Sequence, residues 1–205
     1  MPNYADINGR PMKKLQIQQY LRKLQLNDFE PAVNLATLTK LQDAHLKYIP
    51  YENFDSLNGK ITSLKRQDMF NKVIMHNRGG ICFELNGLYN WLLESLGFEV
   101  TSYAARFIDK METYQLRRHR VMCVALGEKR YLTDVGVNSE SPRVPLEITE
   151  GLIQSDGISQ YKFTRSEFWG WLLWQKECGK IWKRLFGFTE EPQICLLYTS
   201  DAADD

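Results

Sequence analysis

The chain has 205 residues, of which 43% are hydrophobic and 25% are charged. These values are ordinary for a globular protein with a sizeable core, in one large domain or two small domains that pack together. The 26 basic and 25 acidic side chains nearly cancel, so no strong field favours nucleic acid or another polyanion as a partner. We also expect no membrane association, because no apolar run is long enough to cross a bilayer.

The cysteine content favours a reducing compartment. Residues 1–14 contain no apolar segment typical of a secretory signal, and the four cysteines form no CxxC pair. Four cysteines are too few for a disulfide scaffold of this length, and the three histidines form no pattern typical of a zinc site. We therefore expect a cytoplasmic protein without a metal, in which a single cysteine could act as a nucleophile.

The first half of the chain is predicted to be mainly helical. Apolar residues recur at helical spacing in four segments, residues 17–24, 35–41, 69–74 and 82–96. The second helix is expected to end at Pro50, because proline disfavours a helical conformation in the residue before it. Gly97 is placed as the C-cap of the fourth helix.

The second half changes in character and predicts strands. Residues 100–108, 121–126 and 130–135 have strand patterns, with residues 127–129 as a hairpin loop. Residues 139–163 are rich in turn residues, and residues 168–188, which are dense in tryptophan, could form strands or a short helix. The sequence thus predicts an α+β fold: an N-terminal helical bundle over residues 1–98, then a β-rich, barrel-like domain over residues 99–194.

We interpret the last eleven residues as not belonging to the native protein. Residues 195–205, CLLYTSDAADD, resemble the in-frame translation of a transposase adapter used to build sequencing libraries. A genuine short acidic tail is the alternative. We expect native sequence to stop near Ile194 and the C-terminal part of the protein to be missing.

Cys82 has the surroundings of a catalytic nucleophile. It follows Gly79 and Gly80 and opens the fourth predicted helix, so the backbone before it could take a tight, left-handed turn or approach a ligand closely. A thiol at a helix N-terminus is favoured as the thiolate, and the N–H groups of the first turn could bind an oxyanion. A buried structural cysteine is the alternative.

A nucleophilic cysteine needs a base, and the base needs an orienting acid. His119 precedes the strand at residues 121–126, and Asp134 ends the strand that returns from the hairpin. Pairing of these strands brings both residues to the same end of the ladder, which makes them the candidate base and acid. His45 and His76 are expected to be packing or surface residues.

Four separated motifs then resemble one family, the arylamine N-acetyltransferases. Residues 78–86, RGGICFELN, are similar to the family signature RGGxCxExN. In the same order as in the family, IPYENF at residues 49–54 resembles its PFEN segment, HRVMCV at 119–124 its catalytic-histidine strand, and YLTDVG at 131–136 its DVG segment. The likeness extends from about Leu15 to Gln193.

The resemblance implies a cysteine-protease-like core with Cys82 as nucleophile, His119 as base and Asp134 as orienting acid. It implies acetyl-CoA as co-substrate without a tightly bound cofactor, and ping-pong transfer to arylamines, arylhydrazines or N-hydroxyarylamines. Glu84 and Asn86 could support the site from the first turn of the helix. The family continues with a third, lid domain, which is largely missing from this chain.

Some features stay open on the sequence alone. Val137 and Asn138 stand where the family usually has an aromatic residue and a glycine, which could reshape the acceptor pocket. The basic residues 117–120 could meet CoA phosphates or form a solvated face, and the tryptophans of residues 169–182 could be core or a substrate cage. The rival functions are an amide synthase on the same fold, a transglutaminase-like or papain-like hydrolase, and a binding module with a dead site.

Overall fold

A computed structural model describes residues 10–108, 116–137 and 140–192. Its helices come first: α1 (Lys14–Lys23), α2 (Leu35–Tyr48), α3 (Phe54–Leu57), α4 (Arg66–Phe70), a π-helical turn (Asn71–Met75) and α5 (Cys82–Ser95). The strands follow: β1 (Glu99–Phe107), β2 (His119–Leu126), β3 (Lys129–Thr133), β4 (Leu146–Glu147), β5 (Gln154–Ser155), β6 (Ser159–Ser166), β7 (Gly170–Glu177) and β8 (Lys183–Pro192). The predicted α+β order, helices before strands, is confirmed.

Local signals in the sequence explain the helix boundaries. Asn34 caps α2, since its side-chain oxygen accepts a hydrogen bond from the Thr37 N–H at 2.9 Å. The same helix ends two residues before Pro50, as expected. After α5, Gly97 has a φ of +91°, the left-handed conformation that glycine adopts without strain.

The described strands form one antiparallel sheet that nearly closes into a barrel. Their order is β4-β3-β2-β1-β8-β7-β6-β5, which leaves β4 and β5 at the two edges. The side chain of Gln154 joins these edges, because it bonds to both backbone groups of Glu147, at 2.7 and 2.9 Å. The barrel-like character predicted for this half is thereby confirmed.

Several predicted boundaries need correction. The hairpin loop between β2 and β3 holds only Gly127 and Glu128, because Leu126 already pairs with Lys129. The tryptophan-dense residues 168–188 form strands, β7 and the start of β8, and no helix. β6 was not predicted: its alternating buried aromatic and exposed polar residues fall within and beyond a stretch dominated by turn residues.

The buried apolar side chains fall into two clusters that share β2 and β3. Met122 and Val124 face the helices and pack with α5, whereas Val121 and Cys123 face the barrel interior. This alternation follows from the two-residue period of a strand. Cys123 is therefore a buried residue of the barrel core.

No helix among the described residues is long and apolar enough to cross a membrane. Residues 195–205, predicted to be a non-native tail, lie outside the described residues. The division into domains at residue 98 stays a prediction.

Candidate active site

Cys82 is the first residue of α5, as predicted, and its side chain is buried. Its Sγ donates a hydrogen bond to the Arg118 carbonyl oxygen at 3.6 Å, just before β2 begins. The thiol thus lies at the positive end of the helix dipole and against the strand that carries the candidate base. α5 and β2 bring together two segments that are 36 residues apart.

The two glycines before Cys82 allow a close backbone contact and no left-handed turn. Neither Gly79 nor Gly80 has a positive φ, which corrects that part of the sequence interpretation. A Cβ on Gly79 would lie 2.1 Å from the Pro50 carbonyl oxygen. Gly80 pairs with Tyr51 as a parallel bridge, and its carbonyl accepts from the Glu52 N–H at 3.0 Å. The IPYENF segment is therefore held directly beside the nucleophile.

His119 and Asp134 lie together, fully buried, at one end of the β2–β3 ladder. His119 Nε2 and Asp134 Oδ2 are 2.6 Å apart. His119 opens β2, two residues earlier than predicted, and Asp134 directly follows β3. Met122 pairs with Thr133, so His119 and Asp134 both lie just beyond this pair, at the same end of the ladder. This is the end predicted from the hairpin.

The electrostatic environment favours a protonated imidazole. Burial by itself lowers the pKa of His119, but the Asp134 carboxylate outweighs burial, and Cys82 adds to its effect, so the pKa of His119 is raised. The other ring nitrogen, Nδ1, has no hydrogen-bond partner among the described residues. This nitrogen is therefore available to exchange a proton with the neighbouring sulfur.

Asn86 connects the helix to the acid. It lies one helical turn after Cys82, and its Nδ2 donates to Asp134 Oδ1 at 2.8 Å and to the Arg120 carbonyl at 2.5 Å. Its Oδ1 accepts from the Val135 N–H at 2.9 Å. Asn86 thus fixes α5 against both strands, which gives the supporting role suggested by the sequence a structural basis.

Gly136 lets the chain after Asp134 pass directly over the nucleophile. A Cβ at this position would lie 2.8 Å from Cys82 Cα and 2.8 Å from Asn86 Nδ2. Its N–H also donates to Asp134 Oδ1 at 2.8 Å. The glycine of the DVG motif is therefore required by a close approach, because any side chain would displace the helix.

A chain of ion pairs surrounds the first turn of α5. Glu84 caps the helix by accepting from the Ile81 N–H at 2.9 Å, and its other oxygen lies 2.8 Å from Lys72 Nζ. Lys72 comes from the π-helical turn and also contacts Asp55 at 2.9 Å. Arg78 continues the chain to Asp55 at 3.3 Å. Lys72 could not be singled out from the sequence, because helical periodicity does not reveal a local π-helical turn.

Aromatic side chains border the site on the barrel side. The rings of Phe107 and Phe186 lie 5.0 and 5.3 Å from the His119 ring, measured between centroids. Phe107 is 41% exposed, so it offers an apolar wall to a bound molecule, and Tyr51, which pairs with Gly80, is 39% exposed. Neither Phe107 nor Phe186 was singled out from sequence, since their position depends on the pairing of distant strands β1 and β8.

The basic residues 117–120 differ in burial and in their partners. Arg117 pairs with Glu191 at 2.9 Å, and Arg120 is buried with its guanidinium on Ser102 Oγ at 2.8 and 3.2 Å. The run is therefore not a uniform solvated face, and its contact with CoA phosphates stays a prediction. His76 is exposed, and His45 is buried in the helical core, as expected.

The tryptophans of β7 and of the connection to β8 differ in burial. Trp171 is buried in the barrel core, whereas Trp174 and Trp182 are half-buried at the surface. No group of three or more potential metal ligands is gathered in the part of the chain that the structure describes.

Fold and site together define an α+β protein with a cysteine, a histidine and an aspartate assembled between a helix N-terminus and a barrel-like sheet. A family model described as N-acetyltransferase matches residues 34–201. This match includes the first seven residues of the segment that we expect to be non-native, and that expectation remains a prediction. The chain belongs to the arylamine N-acetyltransferase family.

Individual relatives agree with this assignment. The chain is 34% identical to an arylamine N-acetyltransferase of Mycolicibacterium smegmatis over 85% of this chain and 64% of that protein. It is 30% identical to a Proansamycin X synthase of Amycolatopsis mediterranei over 89% of this chain and 70% of that protein. The solved arylamine N-acetyltransferase from Salmonella typhimurium superposes with a TM-score of 0.82 and 26% identity, covering 89% of this chain and 65% of that one. The chain thus spans about two thirds of the length of these relatives.

Proposed function

We propose that this protein transfers an acetyl group from acetyl-CoA, through a thioester on Cys82, to an aromatic amine. The acceptors are arylamines and arylhydrazines at nitrogen and N-hydroxyarylamines at nitrogen or oxygen. The observation that carries the proposal is the assembly of Cys82, His119 and Asp134, with a 2.6 Å contact in the buried His-Asp pair. No tightly bound cofactor, metal or nucleic acid takes part.

In the first half-reaction, the Cys82 thiolate attacks the acetyl carbonyl of the donor. The developing oxyanion lies near the first-turn N–H groups of α5, which have no partner four residues earlier in the helix. The carbon–sulfur bond to CoA then breaks, and the CoA sulfur leaves as a thiol with the proton held by His119. Because Asp134 stabilises the imidazolium, His119 can hold this proton next to a thiolate.

In the second half-reaction, the nitrogen of the aromatic amine attacks the acetyl carbon of the Cys82 thioester. His119 accepts the proton that the nitrogen loses, and the bond between the acetyl carbon and Cys82 Sγ breaks. The products are the N-acetylated amine and the thiolate–imidazolium pair with which the cycle began. A thioester suits this step, because an aromatic amine is a weak nucleophile and needs an activated acyl group.

An amide synthase is the second candidate. It is favoured by the 30% identity to a protein named Proansamycin X synthase, since such an enzyme would share the three site residues and differ in the acceptor. The half-exposed Phe107 and Tyr51 beside the site fit an aromatic acceptor in either case. A hydrolase would instead release the acyl group to water.

Replacement of Cys82 by serine tests the nucleophile. We expect Cys82→Ser to lower acetyl transfer to an arylamine by at least about a thousandfold, because a serine hydroxyl is a far weaker nucleophile than a thiolate. The fold should be retained, since the change is nearly isosteric. Cys178→Ser is the matched control, because Cys178 is an exposed free cysteine in the turn between β7 and β8. A Cys82→Ser protein with the parental rate would refute the assignment.

A further inference from the structure

Tyr51 is a residue of the candidate site at which this chain departs from the motif that it resembles. The IPYENF segment has a tyrosine where the PFEN motif has a phenylalanine, so the chain carries one additional hydroxyl group at this position. A phenol hydroxyl can donate and accept hydrogen bonds, which a phenyl ring cannot. The departure therefore adds a single polar group, and its effect depends on where the structure places that group.

The backbone holds Tyr51 beside the nucleophile. Tyr51 forms a parallel bridge with Gly80, two residues before Cys82, and the Glu52 N–H donates to the Gly80 carbonyl at 3.0 Å. The side chain of Glu52 also accepts a hydrogen bond from Arg78 Nε at 2.8 Å. These contacts fix the segment that carries Tyr51 against the segment that leads to Cys82.

The side chain of Tyr51 lies within electrostatic reach of the nucleophile. Burial raises the pKa of Tyr51, and the negative charges of Cys82 and Glu84 raise it further. Such an effect requires proximity, because exposed charges more than about 10 Å apart are largely screened by salt. The phenol is therefore near Cys82, and it stays protonated at neutral pH, so it can act as a hydrogen-bond donor there.

The Tyr51 hydroxyl has no hydrogen-bond partner within the part of the chain that the structure describes. The hydroxyls of Tyr89 and Tyr161, by contrast, donate to the Leu38 carbonyl and to the Asp156 carboxylate. Tyr51 is also 39% exposed, so a bound molecule can reach it. A donor that the protein itself does not use is thus available to a molecule that approaches the nucleophile.

We propose that the Tyr51 hydroxyl selects the acceptor by donating a hydrogen bond to an oxygen atom carried on the ring of the aromatic amine. A hydroxyl, ether or carbonyl oxygen on the ring accepts this bond, whereas an alkyl group of the same size leaves the donor without a partner. Tyr51 is then a specificity-determining residue that favours oxygen-substituted aromatic amines. This inference rests on the proposed function, because it assumes an aromatic amine that attacks the Cys82 thioester.

The test combines one substitution with matched pairs of acceptors. Tyr51→Phe removes only the hydroxyl. The amine 4-methoxyaniline has nearly the same size as 4-ethylaniline and differs from it by one oxygen, and 3-methoxyaniline and 3-ethylaniline form a second pair for the other ring position. For each pair, the ratio of kcat/KM between the methoxy and the ethyl amine is measured with acetyl-CoA as donor. Tyr48→Phe is the matched control, because Tyr48 ends α2 and lines a separate cavity with Arg22 and Met75.

We expect Tyr51→Phe to lower the ratio by about fivefold in at least one pair, because one hydrogen bond to the acceptor is lost, whereas Tyr48→Phe keeps the parental ratio. Parental ratios in Tyr51→Phe for both pairs would overturn the inference and leave the proposed function intact. Slower acetylation of Cys82 in Tyr51→Phe with unchanged ratios would also overturn it, since the hydroxyl would then act on the thioester and not on the acceptor. If the parent protein acetylates none of the four amines, the proposed function fails, and the inference fails with it.

Discussion

Both oxygens of Asp134 are engaged at the buried centre of the site. Oδ2 contacts His119 Nε2, and Oδ1 accepts from Asn86 Nδ2 and the Gly136 N–H, each at 2.8 Å. Asn86 therefore holds the carboxylate in the orientation that fixes the imidazole, while the helix that carries Asn86 also carries Cys82. The Asn86 side chain therefore links the position of the nucleophile helix to the orientation of the Asp134 carboxylate.

Asp134→Asn tests this orientation at the residue scale. With the amide oxygen facing Asn86 and Gly136, the amide nitrogen would face His119 Nε2, so the imidazole loses its charged acceptor and is held in the wrong tautomer. We expect the rate of acetyl transfer to fall by about a thousandfold or more, with little change in substrate binding. The measurement is steady-state kinetics, with Asp43→Asn as control, because Asp43 pairs with Arg143 on the surface. Near-normal turnover of Asp134→Asn would remove Asp134 from the mechanism.

The sequence predicted some of these residues better than others. His119 and Asp134 could be placed together because one short hairpin joins their strands, and strand pairing then determines where both residues lie. Asn86 was singled out as part of the motif at residues 78–86 and by its place near the start of the helix. Phe107 and Phe186 could not be found, because β1 and β8 meet across about eighty residues of chain and no local pattern specifies that pairing.

At the scale of elements, the start of α5 depends on three segments that meet around Glu84. The carboxylate of Glu84 is nearly buried and lies between the Ile81 N–H and Lys72 Nζ. Burial alone lowers the pKa of Lys72, but its contacts with Asp55 and Glu84 outweigh burial and raise that pKa. Lys72 thus remains charged and neutralises a carboxylate placed only two residues after the nucleophile.

Lys72→Met is expected to destabilise the protein by about 2–4 kcal/mol, because it leaves the buried Glu84 carboxylate without a cation. The free energy of unfolding by urea measures this loss, and Lys14→Met is the control, since Lys14 is an exposed lysine of α1. Lys72→Arg should restore part of the stability, because it keeps the charge. If Lys72→Met were as stable as the control, the ion-pair chain would have no structural role.

Element types were easier to predict than their exact ends. α5 and the hairpin strands follow from clear periodicity and from glycine at their boundaries, and both were predicted within about two residues. The π-helical turn before Arg78 has no sequence pattern of its own, and it carries Lys72, which contacts both Asp55 and Glu84. β6 was missed since turn residues near Gly157 obscured its alternation.

On the scale of the whole molecule, the helical cluster and the barrel cluster meet at β2 and β3, so the site lies where the two cores join. The helical core contains a buried titratable group that the proposed mechanism does not use. His45 is fully buried between the rings of Tyr20 and Tyr89, at 6.0 and 5.4 Å, and burial lowers its pKa to about 3. The folded protein therefore keeps His45 neutral.

This buried histidine predicts a loss of stability in mild acid. Below about pH 6.5, the unfolded chain binds a proton at His45 that the folded chain does not accept until about pH 3. The unfolding free energy should therefore fall by about 2 kcal/mol between pH 7 and pH 5, and His45→Leu should flatten that slope. The pKa of His119 is raised in the folded protein, so below pH 6.5 His119 is protonated in the folded and the unfolded chain alike. Its contribution to the free energy of unfolding is therefore lost only as the pH rises above 6.5.

Urea unfolding at several pH values checks this prediction. Asp55, whose pKa the contact with Lys72 lowers to about 2, loses its contribution only below about pH 4, outside the window. His76→Gln is the control, because His76 is exposed. A slope between pH 7 and pH 5 that is unchanged in His45→Leu would show that another group causes it.

The most direct test of the account is the intact mass of the purified protein after brief exposure to acetyl-CoA, with peptide mapping of any adduct. We predict one acetyl group on Cys82, and its loss when an arylamine is added, with formation of the N-acetylated amine. An acetyl group on another residue, or one on Cys82 that water removes as fast as an arylamine does, would contradict acetyl transfer through a Cys82 thioester.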